Sequence, residues 1–383
     1  MATVAIAPDS FKGSIDAVAA ASALRAGWLA SRPDDTVVVL PQADGGEGTL
    51  EAVLGAVAGA ELCGPVTITG PDGRLAAAPW VRLPDGTAVV ELARAAGLPM
   101  MARPDPLGAS TKGLGEVISH VLDAEPSRLL IGLGGSASTD GAAAAFAALG
   151  LRLIDEHGAL VPGNGGSLAR LATVDDSALR PPPPGGVQLL SDVSSPLLGP
   201  AGAAAVFAPQ KGANPQQVGE LEAGLARWAA VLEAAGRPPR ADTPGAGAAG
   251  GAGYGFMALW GAQATSGAAH VARVTGLDDA VATADVLITG EGQFDATSMT
   301  GKVVGHALEL ARLAGTPAVV VAGALAADPT HMAAAGGNNV EGMSLTAMAG
   351  SSSAALAQPE RWLIEAGSRA AAAHTAQSGS GGR

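Results

Sequence analysis

Cysteine is nearly absent from the chain, and basic residues are scarce. The 383 residues include one cysteine, Cys63, which can form no internal disulfide and matches no metal-ligand spacing. We therefore expect Cys63 to be structural and the protein to work in a reducing compartment. Lysine and arginine number 22 against 35 acidic residues, which gives a formal net charge of −13. Because nucleic acids and acidic membranes bind basic surfaces, we expect neither as a partner, and any anionic ligand requires a local site.

Long apolar runs are also missing. No segment approaches the roughly eighteen unbroken apolar residues that a membrane-spanning helix requires. The N-terminal residues Met1–Ser10 have no basic region before an apolar run, which argues against a signal or transit peptide. Together these absences predict a cytoplasmic protein.

Several catalytic and cofactor motifs are absent as well. The chain has no GxxxxGK[ST] phosphate loop, no GxSxG nucleophile elbow, and no triad or metal spacing among its six histidines. Gly245–Gly250 satisfies the dinucleotide pattern GxGxxG, but it follows Asp242-Thr243-Pro244 rather than a predicted strand. We therefore expect neither a nicotinamide enzyme, nor a Walker-type ATPase, nor a serine hydrolase.

A strand–loop–helix pattern recurs along the chain. At four places a short apolar run leads into a polar, glycine-rich loop and then a helix-like segment. The four runs are Thr3–Ala7, Thr36–Leu40, Arg128–Leu133 and Asp285–Thr289, and a further run, Ala318–Ala322, ends at Gly323. Buried strands alternating with helices predict an α/β fold with a mainly parallel sheet covered on both faces. Ligands of such sheets bind where strands end and helices begin, so the four loops are candidate site segments.

Length and a change of pattern predict two domains with a cleft between them. A chain of this size exceeds the usual limit of one hydrophobic core. Residues 66–90 contain two Pro-Asp-Gly turns, which predict a hairpin rather than another strand–helix unit. The predicted domains are residues 1–65 with 285–365, and residues 66–284. Residues 366–383 are small and polar, and we predict that they form a disordered tail.

The first two loops offer candidate substrate ligands. Asp9, Ser10 and Lys12 combine a carboxylate, a hydroxyl and a cation, although a plain Asp-Ser turn with a solvated lysine explains the spacing equally well. A helix with Ser14 as its N-cap is expected to follow. The second loop places Asp44 among glycines, which let the backbone approach a ligand while the acid binds a metal or a substrate hydroxyl.

The third loop is a candidate phosphate site. Gly134, Gly135 and Ser136 precede an alanine-rich segment predicted to be helical, where backbone amides can bind an anion. The alternative is that the glycines only allow a strand and a helix to pack tightly.

Further charged candidates follow other apolar runs. Asp192 can serve as a general base or a metal ligand, and Lys211, farther along the chain, can neutralise phosphate charge. In the fourth loop Glu291 and Asp295 can hold Mg²⁺ together with phosphate oxygens, and Lys302 enters the next predicted helix. Asp192 and Lys211 could also be plain surface residues.

In their order along the chain, these motifs resemble the bacterial glycerate kinase family, whose N-terminus reads APDSFKGS. The matching segments are Ala7–Ser14, Ala43–Thr49, Gly134–Ala137, Val206–Ala213, Gly245–Gly251 and Ile288–Gly292. The resemblance implies ATP-dependent phosphorylation of D-glycerate, usually at the 2-hydroxyl, with Mg²⁺. It also implies a flavodoxin-like α/β domain formed by both chain ends, with a second α/β domain inserted between them. Ser195 and Thr139 depart from the family's usual residues, which could alter substrate choice or weaken activity.

The resemblance and the loop chemistry together suggest roles for the candidate residues. Glycerate would bind near Asp9, Ser10, Lys12 and Asp44. The phosphates of ATP would bind at Gly134, Gly135 and Ser136, with Lys211 or Lys302 as the charge partner. Mg²⁺ would be held by Asp192, Glu291 or Asp295, with Asp192 as the nominal base and Lys12 and Lys211 as further catalytic candidates.

Two alternative functions stay open. One is a kinase for another hydroxy or sugar acid, and the other is a non-catalytic ligand-binding regulator with the same fold. The sequence also leaves the oligomeric state open, a homo-oligomer included.

Overall fold

Two compact units make up the protein. A computed structural model describes residues 1–11, 13–299, 302–326 and 340–380. Unit 1 comprises Met1–Asp44, Glu51–Ala58 and Ala268–Arg383, and unit 2 comprises Gly45–Leu50 and Gly59–Gly267. That the chain forms independent domains with limits near residues 65 and 285 stays a prediction.

The strands and helices follow one another in the order expected of an α/β protein. The strands are β1 Thr3–Pro8, β2 Thr36–Val39, β3 Glu61–Thr69, β4 Leu75–Arg82, β5 Thr87–Glu91, β6 Arg128–Gly132, β7 Arg152–Asp155, β8 Leu171–Asp175, β9 Val187–Leu190, β10 Gln263–Thr265, β11 Val286–Phe294, β12 Ala318–Leu325 and β13 Val340–Ser344. The α-helices are α1 Ala17–Ser31, α2 Thr49–Ala56, α3 Leu92–Ala96, α4 Lys112–Asp123, α5 Ala143–Ala148, α6 Ala203–Phe207, α7 Pro215–Ala234, α8 Ala248–Trp260, α9 Gly267–Thr275, α10 Leu277–Thr283, α11 Val303–Ala314, α12 Leu345–Ala349, α13 Ser352–Ala357 and α14 Pro359–Ser380. Short 3₁₀ turns occupy Leu98–Met100, Gly165–Arg170, Pro209–Lys211 and Ala296–Met299.

Unit 1 contains a five-stranded parallel sheet in the order β13-β12-β11-β1-β2. Counted within the unit, this is the 2-1-3-4-5 order of flavodoxin-like folds, so the prediction of a parallel α/β sheet is confirmed. Alternate residues of β1 are buried on opposite faces: Val4 and Ile6 belong to one apolar cluster, and Ala5 and Ala7 to another. Both faces of the sheet are therefore covered.

The two faces of this sheet are covered by helices from distant parts of the chain. Helices α1 and α14 contribute to the cluster around Ile6, whereas α9, α10 and α11 contribute to the cluster around Ala5. Because the buried side chains of α9 and α10 belong to this second cluster, the chain rejoins unit 1 at Ala268.

The first helix begins later than the sequence suggested. Asp16, not Ser14, is the N-cap of α1, and its side chain accepts the backbone N–H of Ala19 at 2.8 Å. Ser14 instead donates its hydroxyl to the carbonyl oxygen of Phe11 at 2.8 Å, which closes a turn before the helix.

The C-terminal segment is helical, so the prediction of a disordered tail is wrong for residues 366–380. Helix α14 lies against α1 and buries one apolar stripe in the same cluster as Trp28. The buried residues of that stripe are Leu363, Ala366, Ala370 and Ala371. Alanines spaced three to four residues apart form a helix face that composition alone does not distinguish from a low-complexity tail. Residues 381–383 of the predicted tail lie outside the described part of the chain.

Unit 2 contains a mixed six-stranded sheet in the order β10-β9-β6-β5-β4-β3. Strands β10, β9, β6 and β5 are parallel, whereas β5, β4 and β3 are antiparallel. The predicted hairpin is confirmed, with Gly70–Gly73 turning the chain between β3 and β4. In the core of unit 2, the ring centroid of Phe146 lies 5.0 Å from that of Phe256 and 5.2 Å from that of Trp260.

Across the residues that the structure describes, no helix is both long and apolar enough to span a bilayer.

Candidate active site

A pocket of about 490 Å³ opens at the carboxyl edge of the unit 1 sheet. It lies beside the ends of β1 and β11, where the strand order reverses and where open α/β sheets bind ligands. Its polar half includes Asp9, Ser10, Asp44, Glu291, Asp295 and Lys302. Six residues predicted in three separate parts of the sequence are therefore brought into one pocket.

The loop after β1 is held by backbone contacts to β11. The Asp9 N–H donates to the carbonyl oxygen of Gly290 at 2.8 Å, and the Asp9 carboxylate accepts the N–H of Ser10 at 2.6 Å. Gly290 itself has no room for a side chain, because an added Cβ would overlap the carbonyl oxygen of Val321 and approach the Phe11 ring to 3.3 Å. Lys12 lies outside the described residues, so its predicted substrate role stays a prediction.

Strand β11 carries the acidic side of the pocket past the point where β1 ends. Glu291 is buried, and Asp295 follows the strand, with its backbone N–H donating to the Ser298 hydroxyl at 3.0 Å. Lys302 is the N-cap residue of α11, as its position before the predicted helix suggested. The pocket thus combines four carboxylates with one described ammonium group, and these five side chains carry a formal charge of −3.

This donor set suits a hard divalent cation. Mg²⁺ prefers oxygen ligands and uses only one or two protein carboxylates when phosphates supply the others. Within the described ranges, no group of three or more His, Cys, Asp or Glu side chains is arranged to hold a metal. The metal-binding role of Glu291 and Asp295 stays a prediction.

The acidic loop after β2 divides between the units. Asp44 lines the unit 1 pocket, whereas Gly45–Leu50 packs on the carboxyl ends of unit 2 strands. Gly45 adopts φ +88°, and an added Cβ would approach the carbonyl oxygen of Leu190 to 2.5 Å. A glycine is required there because the loop runs against the end of β9.

In unit 2 the structure brings Lys211 to the predicted phosphate loop. Lys211 is 3% exposed, and its ammonium nitrogen donates to Ser136 Oγ at 2.8 Å and to the carbonyl oxygen of Ser138 at 2.5 Å. Burial lowers the pKa of Lys211 to about 7, and the negative charge of Asp140 opposes this shift. Burial likewise raises the pKa of Asp140, against hydrogen bonds from Thr111. Lys211 therefore holds the loop in place through its two hydrogen bonds.

The predicted order of strand, loop and alanine-rich helix is confirmed, but Gly134–Ser136 lie several residues before the helix begins. Helix α5 begins only at Ala143, after the left-handed residue Ala142, so no helix starts at Gly134–Ser136. Two amides of the loop are already engaged: Gly134 N–H donates to Gly45 O at 3.1 Å, and Ala137 N–H donates to Ala96 O at 2.9 Å. The phosphate-binding role of Gly134, Gly135 and Ser136 stays a prediction.

Asp192 also follows the carboxyl end of a parallel strand of unit 2. Its Oδ1 accepts the backbone N–H of Gly267 at 3.1 Å, which ties the end of β9 to the start of α9. Its predicted role as base or metal ligand, and its sharing of one site with Glu291, stay predictions.

Glu91 was not among the residues predicted from the sequence. This glutamate ends β5, is 1% exposed, and accepts the N–H of Leu50 at 3.2 Å at the start of α2. Its Oε1 lies 3.9 Å from Arg94 Nε. The signal was available, because an acid that ends the apolar run Thr87–Glu91 matches the pattern that singled out Asp192. The residues of α12 to α14 that line the pocket were not predicted either, since they carry no charge.

The comparison with protein families decides the affiliation. The family model described as "Glycerate kinase family" matches residues 4–375. The chain belongs to the glycerate kinase family. Its acidic strand ends and glycine-rich loops are therefore those of a glycerate kinase family member, as the motif resemblance predicted.

Named members of the family are similar over most of their length. The glycerate 2-kinase of Escherichia coli is 39% identical over 85% of this chain and 86% of its own, and the glycerate kinase of Bacillus subtilis is 38% identical over 85% and 86%. The crystal structure of a proposed glycerate kinase 2 from Salmonella typhimurium LT2 superposes with a TM-score of 0.81 at 34% identity, covering 98% of this chain and 99% of that one. The fold is thus shared with a solved structure.

Proposed function

We propose that this protein is an ATP-dependent kinase that phosphorylates D-glycerate, with 2-phosphoglycerate as the product and Mg²⁺ as the required cation. The observation that carries the proposal is the polar half of the unit 1 pocket, which gathers four carboxylates and Lys302 at the strand-order reversal of a glycerate kinase family member. Its relatives named glycerate kinase and glycerate 2-kinase support the choice of acceptor.

The chemistry of phosphoryl transfer explains why such a pocket suits a kinase. The transferred group passes through a loose transition state, so positioning and charge neutralisation matter more than covalent chemistry. Bound Mg²⁺ would neutralise phosphate charge. Glu291 and Asp295 would hold it, and the ammonium group of Lys302 would face the transferred phosphoryl group.

Lys302 is a better charge partner than Lys211. The Lys211 ammonium is buried and already donates to Ser136 and Ser138, so we assign it the positioning of that loop. Ser10 and Asp44 would orient the hydroxyls of glycerate, together with Asp9 and Lys12. Asp192 is kept as the nominal base, and Gly134–Ser136 as a phosphate-binding loop of unit 2.

A reaction panel tests the proposal. The purified protein is incubated with ATP and Mg²⁺ and, separately, with D-glycerate, L-glycerate and several sugar acids, and the product is identified by phosphorus NMR. We expect phosphorylation of D-glycerate with the phosphate coupled to the proton on carbon 2. Coupling to the carbon 3 protons would overturn the product assignment, preference for a sugar acid would overturn the acceptor, and no turnover with any acid would favour a ligand-binding regulator.

A further inference from the structure

The unit 1 pocket has a second, apolar half that the acidic chemistry does not use. It is lined by residues of α12 to α14, four of them apolar and two of them hydroxyl-bearing: Leu345, Ala355, Leu356 and Pro359, with Thr346 and Ser352. Leu345 and Ala355 are buried, whereas Leu356 is 58% exposed. The exposed leucine at the wall of a pocket gives a ligand an apolar surface to cover.

The sheet order sets the distance between the two halves. The polar residues follow β1 and β11, whereas Leu345 follows the edge strand β13. From β11 to β13 there are two inter-strand steps and from β1 three, which at the usual strand spacing amount to about 10 Å and about 14 Å. A three-carbon acid cannot reach across either distance, but an extended nucleoside triphosphate can.

The size and charge of the pocket agree with a larger ligand. A volume of about 490 Å³ falls in the range of sites for cofactor-sized molecules and exceeds what glycerate fills. The polar half is negatively charged, so it favours a phosphate chain that arrives with a divalent cation over a free anion.

We propose that the apolar half of this pocket binds the adenine ring of ATP, with Leu356 packing against one face of the base. This inference deepens the proposed function and depends on it for the identity of the nucleotide. A flat aromatic base covers exposed apolar surface at little cost in its own conformational freedom, which suits a wall of leucine, alanine and proline. The triphosphate then extends toward Glu291, Asp295 and Lys302.

The test compares a ligand with and without its base. Binding of ATP and of inorganic tripolyphosphate, each with excess Mg²⁺ and without any acceptor, is measured by calorimetry on the full chain and on Leu356→Ser. In Leu356→Ser roughly half of the leucine's contact area with the base is lost. We therefore expect about five- to tenfold weaker ATP binding and unchanged tripolyphosphate binding. Leu313→Ser is the matched control, because Leu313 is 68% exposed on α11 and does not line the pocket. It should change neither affinity.

Several outcomes would overturn the inference. They are unchanged ATP binding by Leu356→Ser, equal weakening of ATP and tripolyphosphate, and no ATP binding by the wild type. In the kinase assay, Leu356→Ser should raise the KM for ATP and leave the KM for glycerate unchanged, and the reverse pattern would assign the apolar half to the acceptor. The calorimetry contains no acceptor, so it tests nucleotide binding alone. If ATP binding depends on the base but glycerate is not phosphorylated, the proposed function is contradicted and this inference is still supported.

Discussion

Two carboxylates carry the most direct prediction at the scale of single residues. Glu291→Gln and Asp192→Asn keep size and most hydrogen bonding while each removes a charge, so a metal or base role predicts at least a tenfold loss in kcat/KM, or about 1.4 kcal/mol. Steady-state kinetics over a range of Mg²⁺ concentrations measure the loss. Glu309→Gln is the control, because Glu309 pairs with Arg312 on α11 and does not line the pocket. Normal rates and normal Mg²⁺ dependence in both variants would remove the two acids from the mechanism.

Lys211 predicts an unusual dependence of stability on pH. Its folded-state pKa of about 7 lies below the ordinary value of 10.5 because the group is buried. Between these values the unfolded chain binds the proton and the folded protein does not, so this group makes the protein more stable as pH rises from about 7 toward 10.5. Denaturant unfolding at several pH values should show wild type gaining stability relative to Lys211→Met across that window. A constant or shrinking difference would contradict a neutral, buried lysine.

At the scale of elements, the contact between α1 and α14 depends on glycine. A Cβ added at Gly27 would overlap the carbonyl oxygen of Ile364, and one added at Gly367 would overlap that of Leu24. We expect Gly27→Ala to force the helices apart and to lower the free energy of unfolding by about 1–3 kcal/mol. Gly55→Ala, in α2 of the same unit, meets only Pro41 at 3.9 Å and should be neutral or slightly stabilising. Equal melting temperatures for the two variants would show that the helix pair is not closely packed in solution.

The same elements show how far the sequence predicts the fold. Strands β1, β2, β6 and β11 could be predicted because each is a short apolar run that ends at a glycine-rich loop. Helix α14 could not, since its buried alanines resemble a low-complexity tail until α1 supplies a surface to cover. The acids of the pocket could be predicted from their positions at strand ends, and Glu91, which ends β5 in unit 2, could have been predicted in the same way. The apolar wall could not, because Leu345 and Leu356 differ from other leucines only in what the sheet order places beside them.

At the scale of the whole molecule, the net charge of −13 predicts how salt affects catalysis. The protein and its pocket are both negative, and so are glycerate and the Mg²⁺ complex of ATP, so they repel one another at long range. Raising ionic strength from about 0.01 M to 0.15 M shortens the screening length from about 30 Å to 8 Å. We therefore expect kcat/KM for both substrates to rise with potassium chloride over that range. A fall in kcat/KM would indicate that the substrates approach the site along a positively charged surface, which the residue composition does not suggest.

The place of β1 in its sheet also matters while the chain is being made. Strand β1 lies between β2 and β11, and the contact between Ala7 and Thr289 joins residues 282 positions apart. Ribosomes add about 5–20 residues per second, so β1 waits roughly 14–56 s for β11 to be synthesised. During that time an apolar strand has one unpaired edge, which holding chaperones can bind and which other nascent chains can pair with. A premature stop before residue 286 would release a polypeptide with this edge permanently open, and such fragments should enter the degradation pathway or aggregate rather than persist as a soluble half-protein.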